Sequence, residues 1–396
     1  MKTRGRPDFV ILIFTLLFVG FGIVMVYSAS SVYALNRFHT DTYFVKKQLV
    51  AAFIGLVAMA FTMNIPYTFY KKNFVRIACG VILLLVLVLI PGIGLWRNGA
   101  RSWLNLGVFQ LQPAEFAKLA VIIYLSAFIS KKGQQIETWK KGLQPAIIVI
   151  GVFGVLIALQ PDMGSAAILG LTAVSVLVAG GAKFKYLIRI AIPIAAAAVA
   201  LIATSPYRLS RVTNIGDPWS DGMNGLGSGF QLAHSYFAIA HGGMFGTGFG
   251  KSIEKYLYLP EVQTDFIFSI IGEELGFAGA TLFLILFTLY LWRIILVTRR
   301  VNDLFANLIG IGVASMIAIQ ALINIGGVTG MIAITGVPLP FISYGGSSLL
   351  LNMLSIGIVL SISREAYRQA IQKAEGASKS PANSSVIPFN TSRRKA

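Results

Sequence analysis

Ten apolar runs, each near the ~20 residues that a helix needs to cross a bilayer, constrain this 396-residue chain more than any other feature. They lie at 9–28, 46–64, 75–91, 113–130, 143–159, 164–181, 186–204, 266–297, 304–326 and 342–363. Hydrocarbon offers no water to bond loose backbone N–H and C=O groups, so such runs must be helices. The chain is therefore expected to be an all-α polytopic membrane protein with about ten transmembrane helices. Only 12% of its residues are charged, about half the share found in soluble domains. The run at 266–297 exceeds one span and is expected to tilt or to project from the membrane.

Basic residues orient the bundle. Of the 33 Lys and Arg, 23 fall at 2–6, 71–76, 131–141, 183–189, 293–300 and beyond 363. Nine fall at 37–47, 97–101 and 208–255, and Lys118 lies inside a run. Cytoplasmic loops carry the excess of positive charge, which predicts that both termini are cytoplasmic. The segment 205–264, between the seventh and eighth spans, is then the large external loop, and 92–112 is the second. Residues 1–363 form the expected membrane domain. Residues 364–396, rich in Ser, Lys, Asn and Arg, are expected to be a disordered cytoplasmic tail. The apolar stretch from Phe9 to Tyr27 is longer than the ~7–15-residue core of a signal peptide, so it is taken as an uncleaved first span.

A net charge of +18 would suggest nucleic acid in a soluble protein. Here the cations sit in short loops, where insertion and anionic headgroups account for them, and no nucleic-acid-binding signature accompanies them. Cys79 is the single cysteine, which excludes a disulfide framework. His39, His234 and His241 lack zinc-ligand spacing.

The sharpest local signal is Leu259-Pro260-Glu261-Val262-Gln263-Thr264-Asp265, which breaks directly into Phe266-Ile267-Phe268. It sets Asp265 where a loop becomes a membrane helix, the first candidate for chemistry among only 15 acids. Capping of the next helix by Thr264 or Asp265, worth about 1 kcal/mol, is an equally good reading and is compatible with the first. The loop before it carries Arg208, Arg211, Lys251 and Lys255 among the glycines of 225–229 and 242–250. Such glycines either let backbone amides approach a diphosphate or merely permit tight turns. Glu273 and Glu274 follow two turns into the helix. Each costs about 2.5–3.5 kcal/mol at membrane depth, and structural ion pairing is their expected use. Glu115 and Lys118, three apart behind Pro113, are either a self-neutralising pair or a way of setting Lys118 in a polar cavity. Trp103 is either an interfacial aromatic or faces a substrate. Gly336 to Ser348, with two prolines and Gly345-Gly346, suggests a broken or re-entrant helix lining a cavity.

Taken in order, these runs resemble the SEDS family of polytopic peptidoglycan polymerases. The matching stretches are Gly22–Ser28, Gly99–Trp103, Gln112–Lys118, Gln160–Gly164, Asp217–Trp219, Leu259–Gly276 and Val337–Ser348, spanning about residues 8 to 363. Thr264–Phe268 together with Pro340–Ser348 is highly specific, and Tyr258–Glu274 leans toward the FtsW and SpoVE branch rather than RodA. Two departures stand out: the link Asp221–Asn224 is longer than usual, and Ala333 stands where the family often has proline.

The resemblance implies glycosyl transfer from lipid II, an undecaprenyl diphosphate-linked disaccharide-pentapeptide, at the outer face of the cytoplasmic membrane. Asp265 aligns with the family's essential acid. Its implied role is general base, taking the proton of the acceptor 4-hydroxyl as that oxygen attacks C1 of the donor. One inverting displacement needs one base, not a retaining carboxylate pair. Trp103, Lys118, Arg208, Arg211, Lys251, Ser343 and Ser347 are expected around the substrate. Arg208, Arg211, Lys251 or a divalent cation (Mg or Mn) would offset the charge of the departing diphosphate. The implied partners are lipid II, the nascent glycan strand, a class B penicillin-binding protein transpeptidase and other division or sporulation membrane proteins. The implied place is the division septum. Two rival classes remain: a lipid II flippase, which needs a polar path across the membrane, and a non-catalytic scaffold, which would not need Asp265.

Overall fold

In the computed structural model, which describes residues 5–379 except 98–99, 106, 108–109, 205, 214, 222 and 224, all ten apolar runs are helical. They form α1 (Phe9–Phe38), α2 (Tyr43–Asn64), α3 (Tyr67–Leu89), α4 (Pro113–Lys132), α5 (Gln144–Ala158), α6 (Met163–Ala179) and α7 (Phe184–Ala203). Two shorter helices, α8 (Pro206–Thr213) and α9 (Phe230–Gly242), precede α10 (Ile267–Thr298), α11 (Leu304–Val328) and α12 (Gly346–Lys379). Burial separates the centre from the rim. In α12, α4 and α11 the most apolar stretch is 89%, 78% and 67% buried, against 39% or less in α1, α2, α3, α5 and α10. The three central helices pack on protein, and the others leave apolar faces for lipid.

Polar clamps close the end of the bundle where most basic loops gather. Asp8 caps α1 through Ile11 N–H and pairs with Arg293 at 2.7 Å. Lys71 reaches Asp303 at 2.9 Å. The expected chain border at 363 is too early, because α12 continues to Lys379. Its extension is held to the bundle: Arg364 donates to the Gly5 carbonyl and to Asn64, and Ala366 is buried. Residues 380–396 lie outside the described residues.

The segment expected as the second loop instead folds into an antiparallel meander of β1 (Gly94–Arg97), β2 (Ala100–Asn105) and β3 (Gln110–Leu111). Pairing within so short a run satisfies backbone groups that no helix of their own could.

Helix α10 is broken within its length. Gly276, at φ 69° and ψ −173°, interrupts it. The opened turn is stitched by the loop after α9. Thr247 and Gly248 N–H donate to the carbonyls of Glu273 and Glu274 at 2.9 and 3.1 Å. Phe277 and Ala278 N–H donate in turn to Gly243 and Met244. The backbones approach so closely that a Cβ on Gly246 or Gly276 would overlap the opposite chain. Gly242 and Gly246 thus serve backbone packing.

Gly246→Ala, strained at φ 82° and blocked by the Glu274 carbonyl, is expected to cost about 1–3 kcal/mol and to lower the thermal midpoint of the detergent-purified protein. An unchanged midpoint would contradict the stitch.

Candidate active site

The second departure from helix builds the site. Between α11 and α12 the chain runs without regular structure through Ala333–Pro338, yet Val337, Leu339, Phe341 and Ile342 are buried. Amide side chains satisfy its backbone. Gln320 donates to the Pro338 carbonyl at 2.9 Å, Asn324 to Val337 at 2.8 Å and Gln48 to Ser343 at 3.2 Å. Asn324 also donates to the Asp265 carbonyl at 2.8 Å, which fixes the start of α10 beside this segment. Asp265 therefore lies on a narrow cleft with Asn324, Gly327, Thr335 and Gly336. Gly336, at φ 73°, leaves its open side toward the Asp265 carboxylate.

Asp265 does not cap α10. The helix begins at Ile267 with Phe266 in the cap position and no side-chain cap, and Thr264 turns its hydroxyl to the Glu261 carbonyl instead. The carboxylate is thereby left for other work. Partial burial is the main cause that pushes its pKa up, to about 6. The Glu261 carboxylate adds to the rise, while the Arg211 guanidinium and a bond from Thr264 oppose it. Arg211 is anchored by donating to the Ile334 carbonyl at 2.8 Å, on the wall of the same cleft. Glu261 is exposed and occupies a left-handed conformation at φ 54°, which a non-glycine residue adopts at a cost.

The structure thus gathers Asp265 and Arg211 and disperses the other expected substrate residues. Lys118 is fully buried: its ammonium bonds Glu115 at 2.7 Å and Gln320 at 3.2 Å, so the self-neutralising pair is what forms. Ser347 binds backbone on both sides, donating to Gln110 C=O and accepting from Gln112 N–H, and so pins the β-meander to α12. Ser343 accepts from Leu339 N–H inside the irregular segment. Both serines are buried and structural here. Trp103 is half-buried in β2 opposite Leu95, away from the residues lining the Asp265 cleft. Lys251 is exposed on the turn after Gly250, and the Arg208 side chain lies outside the described residues.

The glycines of 225–229 do cradle an anion, but it is the chain's own. The Asp221 carboxylate accepts from Met223, Gly225, Gly227 and Gly229 N–H at 2.9–3.1 Å. The deeper acids are structural, as expected. Glu274 bonds Lys255 at 3.2 Å and Ser28 at 2.5 Å, and Glu273 accepts from the Ser252 hydroxyl and the Ile253 N–H.

Sequence reasoning passed over Asn324 and Glu261. Gln320 and Asn324, one turn apart in a mostly apolar helix, were a readable signal, since amides at membrane depth need partners. Glu261 stands four residues before Asp265 and offers no such pattern.

A helical bundle that fixes one partly exposed, high-pKa acid at the junction of two broken segments defines a polytopic membrane protein with a site at one mouth. The chain belongs to the FtsW/RodA/SpoVE family, described as cell cycle protein, which it matches over residues 8–368. It is 44% identical over 363 residues to stage V sporulation protein E of Bacillus subtilis, covering 91% of this chain and 98% of that one. It is 39% identical to a probable peptidoglycan glycosyltransferase FtsW of the same organism, covering 91% and 92%. Both agree with the expected leaning within the family. Among solved structures, it matches a chain of a peptidoglycan synthase complex coordinating polymerization and crosslinking, with TM-score 0.75, 27% identity and 91% and 99% coverage. It also matches RodA of Thermus thermophilus, with TM-score 0.67, 27% identity and 91% and 98% coverage.

A carboxyl whose pKa rises on folding stabilises the fold below its unfolded value and loses that contribution as pH rises through about 6. Asp265→Asn removes the penalty of the buried charge. The substitution is expected to raise the thermal midpoint at pH 7.5, with a gain that vanishes near pH 4. A midpoint lowered at pH 7.5 would contradict this.

Proposed function

We propose that Asp265 is the general base of a peptidoglycan glycosyltransferase that polymerises lipid II at the outer face of the cytoplasmic membrane. The family and its relatives named peptidoglycan glycosyltransferase establish the activity class. The uncapped Asp265 carboxylate on a cleft walled by the Arg211 anchor is the observation that carries the assignment of the base, and its raised pKa agrees with it. A base works best with a pKa near the working pH, where it is ionised yet strongly proton-seeking. Asp265 would take the acceptor 4-hydroxyl proton as that oxygen displaces the diphosphate at C1 with inversion, and a single base is enough for this. General base catalysis supplies about 10²–10⁴ in rate. The remainder must come from alignment and from offsetting the charge of the departing diphosphate, for which Arg211, held on the cleft wall, is the best-placed cation.

Among the described residues no cluster of three or more His, Cys, Asp or Glu could hold a metal alone. A magnesium ion accepts one or two carboxylates when substrate phosphates complete its shell. Glu261, exposed beside Asp265, is the side chain that fits that donor set. Such an ion would neutralise diphosphate charge.

Asp265 lies at the mouth opposite Asp8, Lys71 and Asp303. With the basic-loop asymmetry, this supports an external site and cytoplasmic termini. The buried cations Lys118 and Lys255 are each held by an acid of the bundle, Glu115 and Glu274, which supports the polymerase over the flippase. The likeness to a synthase complex supports a class B penicillin-binding protein as partner, with the division septum or spore envelope as the place of work.

Purified protein with its transpeptidase should make glycan chains from lipid II, and Asp265→Ala should make none at unchanged protein level and partner binding. Normal polymerisation by the variant would sink the assignment. Asp265→Glu should also be poor, since the base must reach one hydroxyl.

Because the base must be ionised, the rate should fall as pH drops through about 6. Glu261→Gln removes a neighbouring negative charge and should move this acidic limb to lower pH. Arg211→Gln should move it to higher pH. Limbs that coincide in all three proteins would assign the titration to another group.

A further inference from the structure

A second cleft stands at the opposite end of the bundle from Asp265. A cavity of about 300 Å³ lies between the α2–α3 turn, the segment at Gly5 and the extension of α12. That volume is at the small end of ligand sites. Two guanidinium groups, Arg364 and Arg368, line it with one carboxylate, Glu365. Arg364 is held in place by the Gly5 carbonyl at 3.0 Å and by Asn64 at 2.6 Å. Arg368 gives one nitrogen to Glu365 at 2.6 Å, while its Nε is buried with no hydrogen-bond partner among the described residues. The Arg368 side chain as a whole stays about a third exposed, 32%, on the cleft, and a phosphate oxygen is the partner that a guanidinium fork suits best. Met63 and Pro66 supply an apolar rim beside Tyr67. The lining keeps one net positive charge after Glu365 is counted.

We propose that this cleft binds a phosphate group, carried by an anionic lipid headgroup or free in solution. Basic pockets between transmembrane helices on the cytoplasmic side take such headgroups. The cytoplasmic placement rests on the orientation proposed above, whereas the phosphate chemistry does not. Binding would tie the α12 extension to the first residues and to the α2–α3 turn, at a distance from the chemistry of Asp265.

The test uses full-length protein purified in detergent, with phosphatidylglycerol and inorganic phosphate as probes. Arg368→Gln should bind phosphatidylglycerol about fivefold more weakly, the equivalent of about 1 kcal/mol. Thr68→Glu, which sets a carboxylate on the exposed lip of the cleft, should weaken it by a similar factor while leaving Arg368 in place. Displacement of the lipid by inorganic phosphate would assign the site to the free ion as well. Retention against phosphate, with the loss in both variants, would assign it to the headgroup. Wild-type affinity for both probes in Arg368→Gln and Thr68→Glu would overturn the proposal. Unchanged polymerisation by the two variants would separate that failure from any failure of the Asp265 assignment.

Discussion

A backbone polar group inside a bilayer must find a partner within the protein, at a cost of several kcal/mol where it does not. This chain abandons the helix twice at membrane depth, and that requirement fixes both solutions. At Gly276 the carbonyls freed by the break in α10 are bonded by the loop after α9. After α11 the irregular run takes its bonds from Gln48, Gln320 and Asn324. The second repair reaches the site, because the Asn324 amide that satisfies Val337 also holds the Asp265 carbonyl. The position of the acid is therefore set by the same bonds that make the irregular backbone tolerable.

Buried charge follows the same logic with higher stakes, since an ion that loses its partner in the interior is more costly than one never placed there. Lys118 with Glu115, and Lys255 with Glu274, each close locally. Lys118 also reaches Gln320, whose amide goes on to Pro338 and Ser348. A pair that looked like a substrate contact is thus a support for the irregular segment, one bond removed from the wall of the site. Lys255, Ser28 and Glu274 do the same for the loop that stitches α10, joining it to α1.

What the sequence revealed depended on whether the signal was local. Apolar length located the ten long helices, and the switch from Leu259–Asp265 to Phe266–Phe268 located the acid. Residue type alone could not give direction. Ser343 and Ser347 were legible as polar residues at a break, yet only tertiary packing turns them onto backbone groups. Glycine density in 225–229 did signal an anion nest, but not that Asp221 fills it. The meander at 94–111 was hidden because its strands are too short for alternation to register. The extension of α12 was hidden because the composition past Arg364 reads as tail while Ala366 still packs.

The electrostatics of Asp265 show why such a site needs both a like and an unlike charge. Burial alone would raise the pKa and make the acid a stronger base, but continued without limit it would leave the group protonated at neutral pH. Glu261 adds to the rise and Arg211 restrains it, so the group settles near 6. There it is roughly a hundredfold more basic than an ordinary aspartate and still mostly ionised at pH 7. A diphosphate arriving at the same mouth brings more negative charge and would push the pKa higher. Arg211, fixed to the Ile334 carbonyl rather than free to wander, can face both the carboxylate and that incoming charge from one anchored position. The irregular segment that presents Ile334 thus does more than wall the cleft, because it sets where the compensating charge stands.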